Sequence, residues 1–379
     1  MRQMLHVPAT GEGTLVVLCG GRSDEHDVSL ASARSVLAAI DGRLSVRPLV
    51  ITRAGALLSD AASRAVLDGD GVMVGDVADT DTTDLVLGPG DVVFPLLHGP
   101  YGEDGSVQGW LRMMNVPHVG SGVHASAVGM DKLSMKAVFA AHALPQVPYR
   151  GVTWRRYRHD PAAVLADLSP LGFPVFVKPA NLGSSLGIHK AEDAEALAAA
   201  LDDAFRFDRR VIVEAAVRRV RELEVAVLGN DDPAVSPVGE IRYDAPFYDY
   251  ASKYTPGAAQ LLIPAPIDER LAKRARALAR SAFEAIDAAG LARVDLFYDE
   301  LGDRLLVNEI NTMPGFTETS MYPRLWAAAG IAYPDLIARL VALARAAAGP
   351  ALLRYPAPDG GGRDQHRSGL GNAGPPRDR

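Results

Sequence analysis

The chain of 379 residues carries a single cysteine, Cys19. A disulfide framework or a thiolate metal cluster needs more than one, so both are excluded. Cys19 closes the apolar run LVVLC, which points to a buried, inert thiol. No apolar run approaches the roughly 20 residues that span a bilayer. The opening MRQMLHVPATGEG lacks the apolar centre of a secretion signal, so no membrane partner and a cytoplasmic location are expected. Basic residues are outnumbered, 39 Lys and Arg against 46 Asp and Glu, for a net charge of −7. That balance argues against nucleic acid or an anionic membrane as the main partner. What remains is an ordinary soluble composition, 48% hydrophobic and 22% charged, in a chain long enough for two or three cores.

The most informative stretch is Leu291 to Thr317, LARVDLFYDELGDRLLVNEINTMPGFT. It reads as a β-hairpin turning near Leu301-Gly302-Asp303. Strand side chains alternate faces, so Arg293 shares a face with Asp295, and Glu309 with Asn311. The turn sets Asp295 opposite Glu309 and Arg293 opposite Asn311. Facing carboxylates destabilise a sheet unless a cation sits between them. Oxygen donors at this spacing suit Mg²⁺ or Mn²⁺ rather than zinc, and Mg²⁺ usually arrives with nucleotide phosphates.

Along the chain, Thr14 to Gly20 reads as a buried strand, followed by a loop with candidate helix caps and an amphipathic helix. Asp91 to Leu97 is a second buried strand, broken by His98-Gly99-Pro100 and YGEDGS, with a helix from Ser106 to Met114. This alternation implies an α/β fold with a parallel sheet whose strand ends gather the ligand loops. A first, substrate-binding domain is expected over 1–125 and a central region over 126–220. The latter contains the strands Pro174 to Lys178 and Val211 to Glu214 and a helix from Glu192 to Phe205. The region 221–346 opens with LEVAVLG and contains the aromatic loop Phe247 to Tyr254. A helix from Glu269 to Ala289, the hairpin and a helix from Tyr333 to Ala347 follow. The Gly/Pro/Arg-rich residues 356–379 read as a disordered tail.

Lys178 ends an apolar strand directly before NLGSSLG, where glycines let backbone N–H groups approach an anion and Ser184 and Ser185 add hydroxyl donors. The spacing is not that of a P-loop. Lys132 and Lys136 share one helical face, a pattern that usually marks a solvated surface. Lys253 sits in the aromatic loop. Glu25 follows the first strand and His98 ends the other, at the same sheet edge.

These residues match a known family. In order, GGRSDEHDVSL, LHGPYGEDGSVQGWL, GSGVHASAVGMDK, FPVFVKPANLGSSLGI, FYDYASKY, ARVDLF and NEINTMPGFTETSMYP resemble the D-alanine–D-alanine ligases of the ATP-grasp superfamily, over about Thr14 to Ala346. The resemblance implies an N-terminal open-sheet domain followed by a two-part ATP-grasp fold. It also implies that ATP phosphorylates one D-alanine and that the amine of a second displaces phosphate, in peptidoglycan precursor synthesis. Asp295, Glu309 and Asn311 would hold two Mg²⁺ or Mn²⁺ ions. Lys132, Lys178 and Lys253 would contact phosphates under the Ser184-Ser185 loop, with Glu214 and Glu222 at the adenine and ribose. Glu25 would hold the first D-alanine's ammonium, with His98 near its carboxylate.

By the same resemblance, Arg293 and the Gly315 N–H would stabilise the oxyanion, and Ser320 and the Met321 backbone would clamp the second carboxylate. Glu25, Ser184 and Tyr254 would pin the loop shut. A homodimer is expected by resemblance only. Asp27 stands where Glu is more usual, and Ala215-Ala216 make a small-residue adenine side. Lys253-Tyr254 resembles dipeptide-forming members, while D-serine as second substrate stays open. A regulator that binds ATP without turnover would be expected to lose Arg293 or Ser320, and both are present.

Overall fold

The computed structural model describes residues 13–348 apart from 41, 70–81, 84, 89, 184–185 and 244–258. The readings at Ser184, Ser185, Lys253 and Tyr254, the whole aromatic loop, and the tail lie outside the described residues.

The first sheet is parallel, ordered β2 (Val46–Ile51), β1 (Leu15–Gly20), β3 (Val92–Pro95). Every residue of β1 is buried, as a strand covered on both faces requires. Leu15, Val17 and Cys19 face one core, Val16 and Leu18 the other. Helix α1 (His26–Ala39) packs on the first side, and α2 (Asp60–Asp68) follows β2. Helix α3 (Ser106–Met113) lies against the second side through Val107 and Leu111. Beyond it come α4 (Val123–Met130) and α5 (Lys132–Ala141), the latter capped by Asp131, which accepts the Ser134 N–H at 2.8 Å.

The second sheet is antiparallel, ordered β4 (Tyr149–Thr153), β7 (Arg210–Ala215), β5 (Val175–Pro179), β6 (His189–Ala191). Three helices, α6 (Trp154–His159), α7 (Pro161–Leu168) and α8 (Ala194–Ala204), complete its core. The third sheet runs β10 (Ala259–Leu262), β9 (Ala234–Tyr243), β8 (Val220–Gly229), β11 (Gly290–Asp299), β12 (Arg304–Asn311). One face carries α9 (Glu269–Ala285), whose Leu271, Ala275, Ala279, Ala282 and Phe283 recur at helical spacing. The other carries α10 (Met321–Ala328) and α11 (Tyr333–Ala347).

Helices cross between the sheets. Met135 and Phe139 of α5 join the core of the third sheet, while Leu336, Leu340 and Val341 of α11 share a core with β1, β3 and α1. The parts are thereby fastened around the cleft between them. Helix α9 ends four residues before the sequence reading, where Asp287 takes a left-handed φ of +58°. No single helix among the described residues is long and apolar enough to cross a membrane.

Candidate active site

A cavity of about 670 Å³ opens where the three sheets meet, lined by Glu25, His98, Lys132, Arg293, Glu309, Asn311, Gly315, Ser320 and Met321. These residues are separated by up to three hundred positions in sequence: Glu25, Lys132, Ser320 and Met321 sit at helix starts, Arg293, Glu309 and Asn311 on β11 and β12, and His98 and Gly315 in the loops after β3 and β12. Glu25 directly precedes α1, and its carboxylate lies so close to Gly99 and Gly183 that a Cβ at either would meet it at 2.4 and 3.0 Å. Gly99 has φ +71°, which glycine adopts without strain. The acid is thus lodged between the loop after β3 and the loop containing Ser184.

His98 is buried, with Nδ1 donating to the Met313 carbonyl at 3.0 Å and Nε2 beside the Ser32 hydroxyl at 3.0 Å. Burial lowers its pKa below the usual histidine value against the pull of Glu25, favouring a neutral ring. Both ring nitrogens are engaged within the protein, so in this state His98 ties α1 to the 313–316 loop rather than offering a free N–H. Sequence reasoning missed its neighbour Glu103. That carboxylate accepts from the Gly99 N–H at 2.8 Å and the Met313 N–H at 3.3 Å. Burial and the nearby Glu25 charge push it up to about 8. The signal was the acidic residue inside YGEDGS, among turn-forming glycines.

The hairpin register is Arg293 opposite Asn311 and Asp295 opposite Glu309, with a bulge just after Asp295. Arg293 grips Asp295 with Nε–Oδ1 at 2.6 Å and Nη2–Oδ2 at 2.7 Å, and reaches Glu224 at 3.0 Å. Burial opposes its charge, but Asp295 and Glu224 raise its pKa well above the ordinary arginine value. The cation that the facing carboxylates need is therefore supplied in the first instance by the chain. The Asn311 amide donates to Asp295 at 3.0 Å. Among the described residues, no three acidic, histidine or cysteine side chains gather as metal ligands. The donor set here is two carboxylates and an amide oxygen, which fits a hard divalent cation.

The last turn of the site is stiffened from behind. Phe316 is fully buried, edge-on to Phe94 at 5.2 Å and beside Tyr322 and Tyr333, whose hydroxyl donates to the Phe316 carbonyl at 2.5 Å. Truncating such a ring costs about 3–5 kcal/mol, so the adjacent Gly315 is firmly placed. Ser320 is the N-cap of α10, its Oγ accepting from the Thr317 N–H at 3.1 Å. The free N–H groups and dipole of that helix start favour a carboxylate ligand.

Toward the second sheet, the sequence reading of Lys132 and Lys136 as a solvated pair is corrected: both are buried. Lys132 donates to the Leu182 carbonyl at 2.7 Å because its helix start abuts the 180–188 loop. Lys136 turns inward to Glu214 at 3.0 Å, and Lys178 reaches the other oxygen of that carboxylate at 2.7 Å. Burial alone would raise the Glu214 carboxyl, but the two ammonium groups carry it down to about 2. Glu222 accepts from the Tyr243 hydroxyl. Asp295, Lys178, Glu214 and Glu222 thus lie off the cavity wall while Glu309 and Asn311 lie on it.

Two family models together match most of the chain. Residues 14–121 match the family model "D-ala D-ala ligase N-terminus" and residues 138–342 match "D-ala D-ala ligase C-terminus". A D-alanine–D-alanine ligase of Deinococcus radiodurans is 50% identical over 338 residues, covering 87% of this chain and 98% of its own length. One from Heliobacterium modesticaldum is 47% identical, covering 87% and 94%. The solved D-alanine–D-alanine ligase from Coxiella burnetii superposes with a TM-score of 0.74 at 33% identity, covering 89% of this chain and 94% of its own. The VanG D-Ala:D-Ser ligase from Enterococcus faecalis reaches 0.77 at 30%, covering 88% and 100%. With both halves matched and its acids, arginine and helix start gathered in one cleft, the chain belongs to the D-alanine–D-alanine ligase family and is an ATP-dependent ligase.

Proposed function

We propose that the protein joins two D-alanine molecules to D-alanyl-D-alanine through a D-alanyl phosphate. The observation that carries this reading is the placement of Glu25, Arg293, Gly315 and Ser320 on one cavity wall beside Glu309 and Asn311. Glu25 takes the ammonium of the first D-alanine, and a carboxylate oxygen of that D-alanine attacks the γ-phosphorus of ATP, releasing ADP. The amine of the second D-alanine then attacks the acyl carbon. Arg293 and the Gly315 N–H hold the oxyanion, and phosphate leaves with the oxygen that came from the first carboxylate. Ser320 and the Met321 N–H, at the start of α10, hold the second carboxylate.

Lys132, Lys178 and Lys253 contact phosphates, Ser184 and Ser185 cover them, and Glu214 and Glu222 serve the adenine and ribose. Asp295, Glu309 and Asn311 hold two divalent ions, Mg²⁺ or Mn²⁺, which supply charge neutralisation at the transferring phosphoryl group. Glu25, Ser184 and Tyr254 fasten the loop so that water does not hydrolyse the acyl phosphate. The parts at 1–125, 126–220 and 221–346 act as substrate, central and catalytic regions of a cytoplasmic homodimer serving peptidoglycan synthesis.

The test is phosphate release from ATP and Mg²⁺ with D-alanine alone, then with D-serine or D-lactate added, with products identified by mass. One dipeptide per phosphate with D-alanine alone supports the reading. Release only with D-serine, for which the likeness to VanG speaks, or only with D-lactate, transfers the chain to the variant ligases.

A further inference from the structure

Lys136 is wholly buried, does not line the cavity and has no part in the chemistry above, yet it is one of two ammonium groups on a single carboxylate. Its Nζ lies 3.0 Å from Glu214 Oε1, while Lys178 Nζ lies 2.7 Å from Glu214 Oε2. It also sits over the ring of Tyr149, 5.5 Å from the centroid, and Tyr149 is paired with Glu214 across β4 and β7. Helix α5 itself is fixed elsewhere, by Met135 and Phe139 in the core of the third sheet and by the Asp131 cap. Lys136 therefore reaches from a helix anchored on one sheet to an acid on another. Burying an ammonium is costly unless something answers for it. Here one carboxylate is shared by two lysines, and Glu309 and Glu222 attract Lys178 from farther off, so Glu214 alone does not fully answer for the Lys178 charge.

We propose that Lys136 is a positioning residue for the nucleotide: by holding one oxygen of Glu214, it prevents that acid from closing on Lys178 with both oxygens and leaves Lys178 able to turn to the ATP phosphates. The inference rests on the assignment of Lys178 to phosphate under the proposed function. With Lys136 absent, Glu214 engages Lys178 alone, and ATP must break that pair to bind. The effect falls on nucleotide affinity and leaves the amino-acid sites, formed by other sheets, unaffected.

The experiment compares KM values for ATP and for D-alanine in the full chain and in Lys136→Met, Lys136→Arg, Glu214→Gln and the double variant Lys136→Met/Glu214→Gln. ATP binding is measured separately by calorimetry. Lys136→Met is expected to raise the ATP KM and Kd by roughly tenfold or more, as loss of one member of a buried charge cluster does. Both D-alanine constants should stay within about twofold. Lys136→Arg should restore most of the loss. Because Glu214 is itself assigned to the nucleotide, the double variant is read against Glu214→Gln: adding Lys136→Met to it should change ATP binding little further, because no carboxylate remains to capture Lys178.

An unchanged ATP constant, a parallel rise in all constants, or additive effects in the double variant would overturn the proposal. If Lys136→Met fails to fold, Lys136→Gln, which also lacks the ammonium but keeps a polar end beside Glu214, carries the same expectation and the same overturning outcomes. If the unmodified protein makes no dipeptide but binds ATP, the functional reading fails while calorimetry still decides the role of Lys136.

Discussion

Arg293 and Asp295 share one face of β11 and meet in a two-pronged contact at 2.6 and 2.7 Å. A residue assigned to the oxyanion is thereby held by a residue assigned to the metal. The fork geometry of a guanidinium is what makes this possible, and a lysine ammonium cannot reproduce it.

Arg293→Lys should retain the fold and ATP binding while lowering kcat by about 10²–10³, the usual cost of removing an oxyanion donor. Arg293→Ala strands Asp295 and Glu224 without their cation and should also lose about 3–5 kcal/mol of stability. Steady-state kinetics and denaturant titration of the pair separate the two effects. Equal stabilities would count against the buried network, and an unchanged kcat against the role.

Glu309→Gln should weaken divalent-ion binding at least about tenfold, since it removes one of two anionic donors. Electron paramagnetic resonance of Mn²⁺ added with ADP reads this without turnover. Unaltered Mn²⁺ affinity would exclude Glu309 as a ligand.

Gly99→Ala should raise the KM for D-alanine with little change for ATP. The added Cβ would meet Glu25 at 2.4 Å and force a side chain into a φ of +71°, a conformation that costs about 1–2 kcal/mol. A rise in the ATP constant instead would mean that Glu25 serves the nucleotide.

Glu103 gives the protein a pH signature. Its carboxyl is pushed from an ordinary 4.5 up to about 8, so between those values the folded chain keeps a proton that the unfolded chain has released. The contribution is full below about 4.5 and is lost as pH climbs through about 8. Melting temperatures between pH 6 and 9 should therefore fall more for the natural chain than for Glu103→Gln. Parallel curves would contradict a protonated Glu103.

The strands of the cleft were readable because they are apolar runs ended by glycine or histidine, and the hairpin because period two and one tight turn determine its register. Asp295 opposite Glu309 followed from spacing alone. Lys136 was not readable, since a lysine four residues from another on a helix looks solvated until a second sheet folds over it. Glu103 was hidden for the same reason: its partners, the N–H groups of Gly99 and Met313, lie on two loops that only the tertiary fold brings together. Positions set by local periodicity were readable, and contacts made with a distant partner were not.

The most direct test is to supply D-alanine labelled with ¹⁸O in both carboxylate oxygens, with ATP and Mg²⁺, and to weigh the phosphate and dipeptide. The account predicts one ¹⁸O in each phosphate released and one missing from the peptide carbonyl side of D-alanyl-D-alanine. Phosphate free of label, or labelled phosphate without dipeptide, would contradict ligation through a D-alanyl phosphate.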